Sequence, residues 1–215
     1  MEKVSVIIPS YNIERSVSEV VNRCPKEYEV IVVDDGSKDR TREIAETTRA
    51  RVIAHERNMG KGQAMITGTE NATGDIIVFI DGDLQHIPED IPRLVSMISD
   101  GGYDMVIGSR RLYDTKGMPL LRKVSNKIST SLVRLSLGIR IRDTQSGFRA
   151  IRKERLIEMH LKAKRFEIET EMLVKAAKMK LRIGEVPISI VYQDGSEFNF
   201  SIKDIFNFLK TVIFK

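Results

Sequence analysis

The chain has 215 residues, 41% of them hydrophobic and 30% charged, with a net charge of +5. Those proportions suit one globular domain, or one domain with a small appendage, and they exclude bulk disorder and a fibrous repeat. The longest apolar run, Ile76 to Ile80, is far shorter than the roughly 18–20 residues of a membrane-spanning helix. Met1-Glu2-Lys3 leads directly into a strand-like segment with no apolar signal core, which predicts a chain kept in the cytoplasm. The single Cys24 forms no internal disulfide, in keeping with a reducing compartment. His55, His86 and His160 are too scattered in sequence for a zinc cluster.

Short apolar runs alternate with helix-like segments. Val4–Pro9 reads as a strand and Ile13–Asn22 as a helix. Glu29–Asp34 reads as a buried strand, followed by a helix over Asp39–Thr48 with Ser37 or Asp39 as its N-cap. Arg51–His55 is a strand, Gly60–Asn71 a helix of small residues, and Asp75–Ile80 another buried strand. Pro88–Ser99 is a helix with Pro in its first turn, and Asp104–Ile107 a strand. Continuous Val/Ile runs separated by helices mark a parallel sheet covered on both faces, with its ligand at the carboxyl ends of the strands. The second half differs. Leu120–Leu137 is a long basic helix pattern, Gly147–Ile151 a strand, Glu167–Met179 an amphipathic helix, and Leu181–Ile190 an extended pair around Pro187. No linker or repeat divides the chain, so residues 1–200 read as one domain.

Charge and apolar residues are unevenly spread. Residues 110–155 carry 13 Lys/Arg against three acids, so this stretch is +10 and the remainder −5. Such a block suggests an anionic partner, whether phosphate, a membrane surface or nucleic acid; a solvated helix face is the plainer alternative. It lacks the interleaved aromatics of a nucleic-acid stacking surface, so no nucleic-acid partner is expected. In residues 201–215, Ile202, Ile205, Phe206, Leu209, Val212 and Ile213 share one helical stripe flanked by Lys203, Lys210 and Lys215. An amphipathic helix of this kind suits a membrane interface or a second subunit, including a homo-oligomer.

The motifs that carry chemistry lie at predicted strand ends. No Gly-rich dinucleotide fingerprint follows the first strand, and Gly60-Lys61-Gly62 lacks the spacing of a P-loop. Asp34-Asp35-Gly36-Ser37 puts two carboxylates at the ligand edge, where they can accept from a base or a ribose; a capped turn explains the same residues. Asp81-Gly82-Asp83, followed by Leu84-Gln85-His86, offers two carboxylates and a neutral oxygen to a hard cation. Mg²⁺ typically takes one or two protein carboxylates together with substrate phosphates. Arg149 can reach an anion or pair with Asp143, and Glu169 and Glu171 either complement a helix N-terminus or face the crevice.

Taken in order, six segments resemble the family 2 glycosyltransferases of GT-A fold. They are Val6–Asn12, Val32–Thr41, Asn58–Ala64, Asp81–Glu89, Gly108–Arg110 and Asp143–Arg149. The Leu-Gln-His-Ile-Pro and Gln-Ser-Gly-Phe-Arg pieces are similar to the dolichyl-phosphate mannose synthase branch, which includes polyprenyl-phosphate glycosyltransferases. The resemblance implies an α/β nucleotide-diphospho-sugar transferase fold, with a mostly parallel central sheet and helices on both faces. It implies an inverting, Mg²⁺- or Mn²⁺-dependent transfer of a hexose from a GDP-mannose or UDP-glucose type donor to a polyprenyl phosphate, at the cytoplasmic face of a membrane. Pro9, Tyr11, Asp34, Asp35, Lys61, Asp81, Gly82, Asp83 and Gln85 would then bind the nucleotide sugar. Asp83 and Gln85, with Asp81, would hold the metal, and Arg110, Arg122 and Arg149 would meet phosphate. Asp83, Arg110 and Glu169 are the catalytic candidates; Glu169 or Asp143 would be the base if the acceptor were a sugar hydroxyl. Two positions depart from the family pattern. Ile13 stands where Glu is frequent, with Glu14 next to it, and Glu197 stands where Lys is frequent.

Overall fold

The computed structural model describes residues 2–110, 141–144, 146–165 and 167–189; for Arg110 it describes the backbone alone. The helix expected over 120–137 and the stripe at 201–215 lie outside the described residues.

Among the described residues seven strands form one sheet: β1 Val4–Ser10, β2 Glu29–Asp34, β3 Arg51–Ala54, β4 Ile76–Phe79, β5 Met105–Arg110, β6 Arg149–Arg152 and β7 Ile183–Ile188. Their order is β3-β2-β1-β4-β6-β5-β7. Strands β1 to β4 pair in parallel, as do β5 and β7. Strand β6 is antiparallel to both of its neighbours, β4 and β5. The sheet is therefore mostly parallel, with one reversed strand between β4 and β5.

Strand β4 is buried at all four residues, because helices cover both of its faces. One face packs Val6, Ile8, Val32, Val78 and Val106 against α1 (Val17–Arg23), α2 (Thr41–Glu46) and α4 (Ile91–Ser99). The other packs Ile7, Val33, Ile77, Phe79 and Ile107 against α3 (Lys61–Asn71), α5 (Lys153–Glu158) and α6 (Ile168–Lys178). Each buried aliphatic or Phe side chain contributes roughly 1.5–3 kcal/mol. The burial is two-sided, so the strands read as unbroken apolar runs rather than as alternating patterns.

Helix limits differ from the periodicity at the N-termini. The first helix starts at Val17, because residues 13–16 form a turn that packs the partly buried Ile13 against the core. The second starts at Thr41 with Arg40 at its N-cap position and no side-chain cap. Asp39 acts one residue earlier, accepting from the Thr41 N–H at 3.0 Å and the Glu14 N–H at 3.1 Å. The segment from Pro88 opens as a short 3₁₀ turn before α4.

The reversed strand positions the site. In the β4–β6 register Phe79 faces Arg149, which carries the chain entering β6 past the carboxyl end of β4. A Cβ on Gly147 would lie 2.5 Å from Asp81 Oδ2 and 2.8 Å from Lys61 Nζ. Glycine is what lets this strand entry approach the Asp81 corner.

Candidate active site

Asp81 follows β4 by two residues and points to the α3/α6 face. Lys61, the first residue of α3, places its Nζ 2.6 Å from Asp81 Oδ1 and 2.7 Å from Glu169 Oε1 of α6. Burial alone would lower the Lys61 pKa, but the two carboxylates outweigh it and hold the ammonium above its usual value. Glu169 is 5% exposed, and its Oε2 is buried with no hydrogen-bond partner among the described residues. His86 is buried as well, with Nδ1 3.9 Å from Asp81 Oδ2 and its ring tilted on Phe148.

Asp83 lies on the turn beyond Asp81. Its Oδ1 accepts from the Gln85 N–H at 3.0 Å. Burial, and then the Asp81 charge, push its carboxyl above the ordinary carboxylate range. The intervening Leu84 sits at φ 60°, a left-handed conformation that costs a non-glycine residue roughly 1–2 kcal/mol. The turn thus holds two acids close together against both charge and backbone preference.

A divalent cation fits this corner. Among the described residues no three His, Cys, Asp or Glu side chains form a ready cage, so a bound ion would draw further ligands from phosphate and water. Asp83 is a carboxyl whose ionised form is disfavoured until positive charge arrives, and the missing Cβ of Gly147 leaves space beside Asp81. Asp81, Asp83 and Gln85 are the residues that would hold the ion.

At the end of β1, Pro9 is partly buried and Tyr11 is 41% exposed on the carboxyl edge. The loops after β1 and β2 grip each other. Asn12 N–H donates to Ser37 Oγ, Lys38 N–H to Asn12 Oδ1, and Arg40 N–H to Glu14 Oε2. Both halves of the first sequence departure find a use here. Glu14 accepts the Arg40 N–H, and Ile13 lies over Gly82, where a Cβ would come 2.3 Å from Ile13 Cδ1.

The two adjacent acids of β2 point differently. Asp34 is 2% exposed and turns toward the α2 face. There it lines a cleft of ≈ 440 Å³ with Ser37, Asp39, Arg42 and His55, which shares no lining residue with the Asp81 corner. Asp35 is 3% exposed, and its carboxylate is taken by protein donors: His55 Nδ1 and Met59 N–H on Oδ1, and Gly60 N–H on Oδ2. Asp35, of which a base or ribose contact is expected, here grips the loop leading into α3.

Arg149 also differs from expectation. It is fully buried, donating to the carbonyls of Ser146 at 2.7 Å, Glu169 at 2.6 Å and Thr144 at 2.7 Å. Its guanidinium is spent inside the fold rather than presented to a phosphate. It ties the entry to β6 to the first turn of α6, and so fixes Gly147 and Glu169 relative to each other. Asp143 is 4% exposed, and its N–H donates to Glu185. Arg110 ends β5 in register with Ile188 of β7; its side chain and all of Arg122 lie outside the described residues. The Lys61–Glu169 ion pair joins residues 108 positions apart, and no local pattern announces such a pairing.

The chain matches the family model described as glycosyl transferase family 2 over residues 5–159. It belongs to that family, and it is a glycosyltransferase of GT-A fold. It is 39% identical over 219 residues to UDP-N-acetylglucosamine–dolichyl-phosphate N-acetylglucosaminyltransferase of Methanococcus voltae, a match covering 90% of this chain and 87% of that protein. It is 37% identical over 223 residues to dolichol-phosphate mannosyltransferase of Pyrococcus furiosus, covering 98% of this chain and 62% of that protein. Among solved structures, glucosyl-3-phosphoglycerate synthase of Mycobacterium tuberculosis with Mn²⁺, UDP-glucose and phosphoglyceric acid aligns with a TM-score of 0.78 at 27% identity. That alignment covers 98% of this chain and 80% of the other.

Proposed function

We propose that this glycosyltransferase moves a hexose or N-acetylhexosamine from a nucleoside-diphosphate sugar to a polyprenyl phosphate of the dolichyl type, with inversion at the anomeric carbon. The observation that carries the acceptor is that two relatives, at 39% and 37% identity, are both named for transfer to a dolichyl phosphate. The chemistry of the corner agrees with it. A phosphate monoester has a second pKa of about 6, so at pH 7 its oxygen is already an ionised nucleophile. It needs cationic positioning rather than a general base, and Arg110 and Arg122 of the basic stretch are the residues proposed to supply it.

Asp81, Asp83 and Gln85 would hold Mg²⁺ or Mn²⁺, which when bound offsets negative charge on the departing nucleoside diphosphate. Lys61 adds a fixed cation at the same corner, paired with both Asp81 and Glu169. Tyr11 and Pro9 offer an apolar edge to the base. The basic stretch and the C-terminal stripe would meet an anionic membrane surface or a membrane subunit from the cytoplasmic side.

One observation favours a second reading, transfer to a sugar hydroxyl. The buried Oε2 of Glu169 has no hydrogen-bond partner among the described residues, as a general base awaiting a proton would. A donor screen separates the two. The chain is incubated with Mn²⁺ or Mg²⁺, a polyprenyl phosphate, and in turn GDP-mannose, UDP-glucose and UDP-N-acetylglucosamine, beside an Asp83→Ala control. Transfer to the lipid phosphate that survives Glu169→Gln and disappears with Asp83→Ala supports the first reading. Transfer only to sugar hydroxyls, abolished by Glu169→Gln, supports the second.

A further inference from the structure

The geometry points to His55 as a positioning residue for the donor site, acting through Asp35 and the Met59–Gly60 backbone on Lys61. This inference rests on the reading of Lys61 as part of the nucleotide-sugar site.

His55 follows β3 directly, and its N–H donates to the Asp34 carbonyl at 2.9 Å, so its backbone continues the sheet ladder. Its side chain is 9% exposed. An ionised carboxylate can only accept, so the 2.7 Å contact with Asp35 Oδ1 requires the proton on His55 Nδ1. In the neutral ring Nε2 then accepts from the Thr67 hydroxyl at 3.0 Å. Thr67 lies on α3, the helix that begins with Lys61. The ring is therefore held at both nitrogens, and its orientation is fixed.

Asp35 passes that orientation on. With His55 on Oδ1, it accepts Met59 N–H at 2.8 Å on the same oxygen and Gly60 N–H at 2.7 Å on the other. Gly60 sits at φ 96°, a conformation that glycine adopts without penalty. The opposite side of this loop is closed. A Cβ on Gly60 would lie 2.3 Å from the Lys164 carbonyl, and Gln63 N–H donates to the same carbonyl at 3.2 Å. The start of α3 is clamped between Asp35 and residue 164. The next residue is Lys61, whose Nζ spans Asp81 and Glu169. A shift of the clamp moves the ammonium away from the donor, a loss that falls on donor binding and so on KM rather than on kcat.

The test compares wild type with His55→Leu, His55→Asn and Lys61→Met. Asn can restore a donor to Asp35, whereas Leu keeps apolar bulk without one. Two readouts are taken: amide hydrogen exchange at Met59 and Gly60, and steady-state kinetics in the donor. His55→Leu is expected to speed exchange at those two amides while the β1–β4 amides stay protected. It is also expected to raise KM for the nucleotide sugar about tenfold, with kcat changed less than about threefold. His55→Asn is expected to recover most of both effects. Unchanged exchange in His55→Leu overturns the clamp. Faster exchange with a wild-type KM overturns the link to Lys61, and so does an Asn variant as impaired as the Leu variant. If Lys61→Met itself keeps the wild-type KM, the donor-site reading of Lys61 fails, and the exchange data still decide the clamp.

Discussion

Asp83 bonds one carboxyl oxygen to a backbone N–H and faces Asp81 across a single glycine. Burial and that neighbour raise its pKa, so the ionised acid costs the fold free energy that a bound cation would offset. Asp83→Asn is therefore expected to lower transfer by about a hundredfold or more while leaving Tm unchanged or higher, since a site acid under charge repulsion costs stability. Activity and scanning calorimetry on the same preparation check this, and a clear fall in Tm would count against the placement. Arg149 gives the opposite expectation. Its three bonds to buried carbonyls make it a structural tie. Arg149→Met leaves those carbonyls unpaired, at about 3–5 kcal/mol in urea unfolding, with activity lost in proportion to unfolding. An Arg149→Met protein as stable as wild type, but with a raised KM for the acceptor, would return the residue to phosphate binding.

Glu171 of α6 shows how one element secures the loop beside α3. Burial opposes its ionisation, but the Lys175 ammonium and the N–H groups of Ala163 and Lys162 outweigh that and hold the carboxyl below its usual range. The stabilisation is thus complete above the unfolded pKa of about 4.3 and is lost as pH falls through the lower folded value. Glu171→Gln is expected to cost about 1–3 kcal/mol at pH 7, and the gap from wild type should close as the pH is taken below about 4. Denaturant melts at pH 7, 5 and 3.5 read this directly; a gap independent of pH would assign the effect to packing. Since Ala163 and Lys164 back onto Gly62 and Gly60, loosening this loop also tests how far the α3 start depends on it.

Across the whole molecule the site is assembled from four segments: the β4 end, the entry to β6, the α3 start and the first turn of α6. A nucleotide that bridges such segments stabilises the folded state by mass action, about 2.7 kcal/mol at a hundredfold excess over Kd. For a chain of this size that is a Tm rise of roughly 5–11 °C. UDP or GDP with Mn²⁺ is expected to produce such a rise, and the same nucleotide with EDTA a much smaller one. Equal shifts with and without metal would remove the cation from the binding site. No helix among the described residues is long and apolar enough to cross a membrane.

The strands were legible because two-sided burial forces unbroken runs such as Ile76–Phe79, and the acidic turn was legible because Asp81, Gly82 and Asp83 are neighbours in sequence. The order of motifs was enough to indicate the family that the comparison then established. Partner choice was not legible. Asp34 and Asp35 are identical side chains one position apart, yet the pleat sends one toward α2, while the other meets His55, Met59 and Gly60. Arg149 reads as a phosphate ligand until the reversed strand encloses it among carbonyls. Lys61 and Glu169 become an ion pair only because α3 and α6 cover the same face of the sheet. Residue type and spacing set which groups can bind anions, cations and protons. Tertiary packing decides which of those groups spend that capacity inside the fold, because burial makes an unpaired charge too costly to leave open.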